Sequence, residues 1–209
     1  MLRTNSILAS ILVVFLIGCT TGGSSTRRVA QTATSLDRLK AAMIEGSEVL
    51  SVSLSNLTAL AFSSPEEVEK ALDRYSKSIS KLNEGANRIR SRADTVDRQK
   101  ERHFEMWEAE IAAMKSAQIA GMSEGRRRVV IEKFEAVRES LNQTRDNYVP
   151  FAAVLQDIEV AVSLDPSLTV LEELQARLPE ITAQGSQLSS AINGSIEAIN
   201  QAKLLWNRR

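Results

Sequence analysis

The stretch VEKALDRYSKSISKLNEGANRI, residues 68–89, places its larger apolar side chains seven positions apart along two lines. The members of these two lines are Val68, Tyr75, Leu82 and Ile89, and Leu72, Ile79 and Ala86. A seven-residue apolar repeat is typical of helices that pack lengthwise against other helices. The stretch therefore predicts a long helix whose apolar seam is covered by neighbouring helices, and hence an all-α protein.

The same repeat continues outward in both directions, with chemically marked interruptions. Ser64-Pro65 resembles a helix cap followed by a first-turn proline, Gly121 to Gly125 breaks the pattern, and Asp165-Pro166 repeats the first device. These marks predict one helical-bundle domain over residues 29–209, with helices at about 29–62, 65–119, 124–164 and 166–207. Pro150 and Pro179 fall inside unbroken repeats, which predicts kinks rather than boundaries.

Helix lengths then predict an elongated antiparallel helical bundle or coiled coil of four long helices. The first helix is short, so we expect it to cover only the Pro65 to Arg98 half of the second. The rod should contain four helices near Ser64 and Asp165 and thin to three towards Gly121. An open alternative is that the first helix pairs with another molecule.

The N-terminus predicts export and lipidation. Arg3 precedes a largely apolar run from Ile7 to Ile17, which is too short to span a bilayer and is typical of a signal peptide. The sequence that follows, Gly18-Cys19, completes a resemblance to the bacterial lipobox. That resemblance implies a signal peptide at residues 1–18, cleavage between Gly18 and Cys19, and a covalent diacylglycerol and N-acyl chain on Cys19. Residues 19–28 are then predicted to be the lipidated cysteine and a flexible tether rich in Thr, Gly and Ser.

Thr20 bears on the location of the protein, and the numbers of charged residues, cysteines and histidines bear on its function. Thr20 is not the aspartate of an inner-membrane retention signal, which favours the inner leaflet of the outer membrane, facing the periplasm. The 26 basic and 26 acidic side chains balance, which argues against nucleic-acid binding. The single cysteine excludes a disulfide within the chain, and the single histidine, His103, excludes a His-based triad and has no second histidine for a metal site. We therefore expect no enzymatic activity, no metal site and no cofactor other than the acyl chains.

Several residues in the middle of the chain resemble a known family. These are Phe104 and Trp107, which form a Phe-x-x-Trp helix motif, and Tyr148 to Phe151 around Pro150, which form a proline-kinked third helix. The pattern is similar to a family of bacterial envelope lipoproteins catalogued only as a domain of unknown function. The resemblance implies a helical, envelope-anchored protein and supplies no catalytic residues.

The sharpest polar feature is Arg126-Arg127-Arg128, which the predicted helices place at the thin tip of the rod. Such a tip can contact lipid headgroups, cell-wall carboxylates or an acidic protein surface. The alternative is that these arginines only keep the tip soluble.

The pattern as a whole predicts a protein that works by contact. We expect a lipid-anchored periplasmic rod that acts as an envelope tether, spacer or scaffold, with an envelope protein or the cell wall as partner and with homo-oligomerisation possible. The alternative is a binding module that carries a lipid or another apolar ligand inside the bundle, because Gly46, Gly185 and Ser195 are small residues on the seams.

Overall fold

The computed structural model describes residues 21–207, with side chains described for residues 26–205. It contains four helices: α1 (Thr21–Ala61), α2 (Val68–Ala112), α3 (Ala117–Leu164) and α4 (Leu168–Asn207). The predicted signal peptide at 1–18, the predicted cleavage position Gly18 and the predicted lipidation site Cys19 lie outside the described residues. The predicted all-α bundle of four long helices is confirmed.

The helices form a closed ring in chain order, so that each one packs against two antiparallel neighbours. α2 and α4 run parallel at opposite corners, as predicted. With 41 residues, α1 is about 60 Å long at 1.5 Å per residue. The two-turn end of the bundle contains the α1–α2 and α3–α4 turns, residues 62–67 and 165–167. The single-turn end contains the α2–α3 turn, residues 113–116, together with the start of α1 and the end of α4.

The core runs along the bundle axis and receives apolar side chains from every helix. Its largest fully buried members include Leu36, Leu50, Tyr75, Phe151, Leu155 and Leu188. Two hydrogen bonds between buried polar groups join helices: the Tyr75 hydroxyl donates to the Leu155 carbonyl at 2.9 Å, and Thr144 and Ser195 share a 2.9 Å hydrogen bond. Pairing of buried polar groups in this way fixes how the helices are aligned lengthwise, because a shift would leave them unsatisfied.

The predicted turn at Gly121 to Gly125 is wrong. The chain turns at residues 113–116, and α3 begins at Ala117, where Ser116 accepts a hydrogen bond from the Ile119 N–H. Neither Gly121 nor Gly125 has a positive φ, and a Cβ at either position would meet open space. Glycine lowers helix stability without forbidding the helix, and here the Ser116 cap sets the boundary.

The predicted tether and the predicted thinning of the rod are also wrong. α1 begins at Thr21 rather than residue 29, and Arg28 near its start forms an ion pair with Glu110 near the end of α2. Once these turns are held against α2, extending the helix backwards costs little, because propagation is easier than nucleation. All four helices therefore reach the single-turn end, and α1 packs on α2 and α4 of its own chain.

Two helix starts lie slightly later than predicted. α2 begins at Val68 instead of Pro65, because the Ser64 carbonyl accepts from both the Glu67 and Val68 N–H groups and closes a separate turn. α4 begins at Leu168 instead of residue 166. The prediction that Pro150 and Pro179 lie inside helices is confirmed.

Candidate functional site

The three arginines of the predicted contact tip lie inside α3, at the single-turn end, and the first two hold neighbouring elements. Arg127 forms ion pairs with Glu108 of α2 at 2.7 Å and with Glu124 at 3.4 Å. Arg126 donates to the Leu205 carbonyl of α4 at 3.4 Å. Arg128 is exposed. The structure thus places all three together but makes Arg127 part of the packing of the bundle.

The Phe-x-x-Trp motif joins the end of α2 to α3. Phe104 packs edge-on against Phe134 of α3, with ring centroids 5.8 Å apart, and the Trp107 indole N–H donates to the Ser123 hydroxyl at 2.9 Å. The buried His103 ring packs edge-on against both Phe104 and Trp107 of the same helix, with ring centroids 5.8 and 5.5 Å away. Within the described part of the chain, no three His, Cys, Asp or Glu side chains are grouped to hold a metal ion. The motif therefore has a packing role.

A groove of about 560 Å³ lies further along α2 and α3. The interface between these two helices is the smallest of the four in the ring. The groove's exposed lining residues all belong to α2 or α3, whereas its lining residues from α1 and α4 are buried. The groove therefore opens to solvent between α2 and α3 and reaches inward to the bundle core.

The floor of the groove is apolar, and small residues create its space. It is lined by Leu50, Ala86, Ile89, Ala93, Leu141 and Leu188, among others. Ala86 and Ala93 occupy successive positions of the α2 seam, where larger side chains stand nearer the start of the helix. Each alanine leaves unfilled the volume that a leucine would occupy between α2 and α3, so the groove follows directly from the sequence of this seam.

The rim of the groove is polar and carries charges of both signs. It is formed by Asn87, Arg90, Asp94, Asp97, Arg138, Asn142 and Arg145. Arg138 is paired with Glu135, and Arg145 with Asp146 at 2.9 Å. A rim of this kind can hydrogen-bond to either an anionic or a cationic head group.

Contacts between α2 and α3 close the groove at both ends. On the side of the two-turn end, the Tyr148 hydroxyl donates to the Asn83 side-chain oxygen at 2.6 Å, and burial raises the pKa of this tyrosine. On the other side, Lys100 lies 3.1 Å from Asp97 and 3.9 Å from Glu135 of α3. The span from Asn83 to Lys100 measures roughly 25 Å along the helix. The helices are thus held together on either side of a gap of defined length.

Of the three small seam residues singled out from the sequence, only Gly46 lines the groove. A Cβ on Gly185 would lie 2.8 Å from the Leu54 side chain, so this glycine admits a close neighbour. Ser195 is buried and bonded to Thr144. The two seam alanines, which sequence reasoning passed over, are the better signal for the groove.

An apolar floor with a polar rim suits a ligand that has an apolar chain and a polar head. The volume of about 560 Å³ lies within the range of roughly 300–1,000 Å³ that is usual for small-molecule sites.

Among residues 21–207, no helix has both the length and the apolar character required to cross a bilayer.

Comparison with known proteins gives a single assignment. No curated protein and no solved structure matches the chain. A family model matches residues 24–203, which span all four helices. The chain therefore belongs to the family described as "Protein of unknown function (DUF2959)".

Proposed function

We propose that this protein is a binding module that holds one amphiphilic molecule, with its apolar chain in the groove between α2 and α3 and its polar head at the rim. The observation that carries the proposal is the groove itself, which is apolar, reaches the core and is closed at both ends by contacts between α2 and α3. The role is one of binding rather than catalysis.

Apolar side chains that line the groove favour an apolar occupant. The half-buried Ile89 and Leu141 face the groove and stay partly in contact with water when it is empty. Removing apolar surface from water stabilises a complex by roughly 25 cal/mol per Å². An apolar chain would cover these side chains, whereas a purely polar ligand would gain nothing from them.

Filling the groove from within the protein tests this proposal. The variant Ala86→Leu/Ala93→Leu should occupy the space and abolish binding of a pyrene-labelled fatty acid, measured by fluorescence titration of the purified full chain. The matched control is Ala136→Leu, which adds the same side chain at an exposed position of α3 outside the groove. Equal binding by the wild type, the filled variant and the control would contradict the proposal.

The proposal also includes the lipid anchor at Cys19 and an outer-membrane location facing the periplasm. The lipobox-like sequence Leu16-Ile17-Gly18-Cys19 supports the anchor, and Thr20, which is not an aspartate, supports the outer-membrane location. Two or more acyl chains give stable membrane attachment, whereas one chain gives only marginal binding. Cys19→Ala should leave the protein uncleaved and unlipidated, which intact mass measurement and membrane fractionation would detect.

A second candidate role is an envelope tether or spacer with a protein or cell-wall partner. The length of about 60 Å favours it, because the two-turn end then stands far from the anchor. Phe62 and Leu164 are exposed at that end. Crosslinking in cells from Leu164, with Met122 at the opposite end as the matched position, would test this role: the partner should be captured from Leu164 only.

A further inference from the structure

We infer that the single-turn end of the bundle is a membrane-binding surface that rests on the headgroup region of the bilayer in which the protein is anchored. The inference rests on the proposed lipid anchor but is independent of the proposed ligand in the groove. It assigns a role to exposed side chains that the packing of the bundle does not use.

The first helix, α1, begins at the single-turn end of the bundle, close to Cys19 in the sequence. Thr21, the first residue of α1, lies at the single-turn end, as the ion pair between Arg28 and Glu110 shows. In the sequence, Thr20 alone separates α1 from Cys19, and the apolar run Ile7 to Ile17 comes just before it. A lipid attached at Cys19 therefore holds this end, and not the two-turn end, at the membrane.

The single-turn end also carries exposed apolar side chains. Met114 in the turn and Ile119 and Met122 in the first turns of α3 are 37%, 58% and 72% exposed. They come within nine positions of one another along the chain, where α3 begins. Apolar side chains on a helical segment at a membrane surface enter the boundary between headgroups and acyl chains, to a depth of roughly 5–10 Å.

Exposed basic residues lie at the same end. Arg27, Lys115 and Arg128 are exposed, and within residues 26–205 none of the three forms an ion pair. Each Lys or Arg close to an anionic lipid surface contributes roughly 1 kcal/mol of attraction. In the sequence, Ile119 and Met122 lie between Lys115 and Arg128. Apolar side chains flanked by basic ones match a bilayer that contains anionic lipids, and this combination favours a lipid surface over an apolar protein pocket.

Depth-dependent fluorescence quenching of the full-length, lipidated chain tests the inference. We would label Met122→Cys with an environment-sensitive fluorophore and reconstitute the protein in vesicles of phosphatidylcholine and phosphatidylglycerol. The matched control is Leu164→Cys at the two-turn end, which is 81% exposed. Lipids carrying a quencher near the headgroup should quench the label at position 122 at least roughly twofold more than the label at position 164.

The possible results distinguish a failure of the lipid anchor from a failure of the membrane-binding surface. If the protein floats with the vesicles but both labels are quenched equally, the anchor stands and the membrane-binding surface is wrong. If the protein does not float with the vesicles, both the anchor and the surface are wrong. Circular dichroism of each labelled variant controls for folding.

Discussion

The phenolic hydroxyl of Tyr148 on α3 donates a 2.6 Å hydrogen bond to the side-chain oxygen of Asn83 on α2, and this bond closes the groove on the side of the two-turn end. Beyond it, α2 and α3 separate around Ala86 and Ala93 and meet again where Lys100 approaches Glu135. The bundle therefore has a gap with two fixed ends, and each end is a polar contact that a single substitution can remove.

Removing the Tyr148 hydroxyl should loosen one end of the groove. We expect Tyr148→Phe to lower the free energy of unfolding by about 0.5–1.5 kcal/mol, the usual net value of one hydrogen bond. The pyrene-labelled fatty acid should also dissociate faster, because the adjoining end of the groove is no longer held. Urea unfolding and stopped-flow release measure the two effects, and an unchanged release rate would show that this contact does not limit exit.

Tyr75 provides the contrasting case, because its hydroxyl is fully buried away from the groove and donates to the Leu155 carbonyl. Tyr75→Phe removes a hydrogen bond from the bundle core, while the Leu155 carbonyl, inside α3, keeps its helical hydrogen bond. Because a hydrogen bond in the low-dielectric interior is stronger than one near solvent, we expect a cost at the upper end of about 0.5–1.5 kcal/mol. We expect a larger loss of stability than for Tyr148→Phe in the same urea titration, with the release rate of the fatty acid unchanged. A faster release rate would mean that the groove responds to any loss of stability.

Alkaline pH should destabilise the fold through the same two tyrosines. Burial, with a smaller contribution from Glu159, raises the pKa of Tyr75 above its ordinary value of 10.0, and burial raises the pKa of Tyr148. Above about pH 10 the unfolded chain loses these protons while the folded chain keeps them, so the free energy of unfolding falls as pH rises. Below that pH the contribution is fully present.

Urea unfolding between about pH 8 and about pH 11 measures this dependence. Because lysines titrate in the same range, the control is Tyr75→Phe/Tyr148→Phe, which should show a shallower alkaline decline than the wild type. Identical slopes would show that neither tyrosine contributes.

Two glycines inside α3 test the position of the α2–α3 turn at residues 113–116. Because Gly121 and Gly125 are helical and a Cβ would meet open space at either one, alanine at each should raise the free energy of unfolding by about 0.5–1 kcal/mol. Gly185→Ala is the control, since its Cβ would lie 2.8 Å from Leu54 and the gain should disappear. Destabilisation by alanine at position 121 or 125 would place the turn back at the glycines.

Much of the fold could be predicted from the sequence, because the seven-residue repeat encodes the buried seam of each helix directly. Pro150 and Pro179 were correctly placed inside helices for the same reason: the repeat passes through both without a shift. The α2–α3 turn could not be placed, because glycine only weakens a helix, whereas the cap that sets the boundary is one serine, Ser116, with no acidic residue after it.

The site was harder to predict than the fold. Misplacing that turn lengthened the second helix and set Arg126 to Arg128 on an isolated tip, whereas Arg127 is paired across two helices. The groove depends on which seam positions face one another across α2 and α3. A single sequence shows that Ala86 and Ala93 are small, but not that no side chain of α3 fills the space beside them.

Native mass spectrometry of the full-length protein, purified from its own membrane in mild detergent, tests the central claim most directly. We predict a dissociable mass increment of one amphiphilic molecule on the wild type and on Ala136→Leu, and its loss in Ala86→Leu/Ala93→Leu. Ligand-free protein in all three samples, or the same increment on all three, would contradict the claim that the groove between α2 and α3 is a binding site.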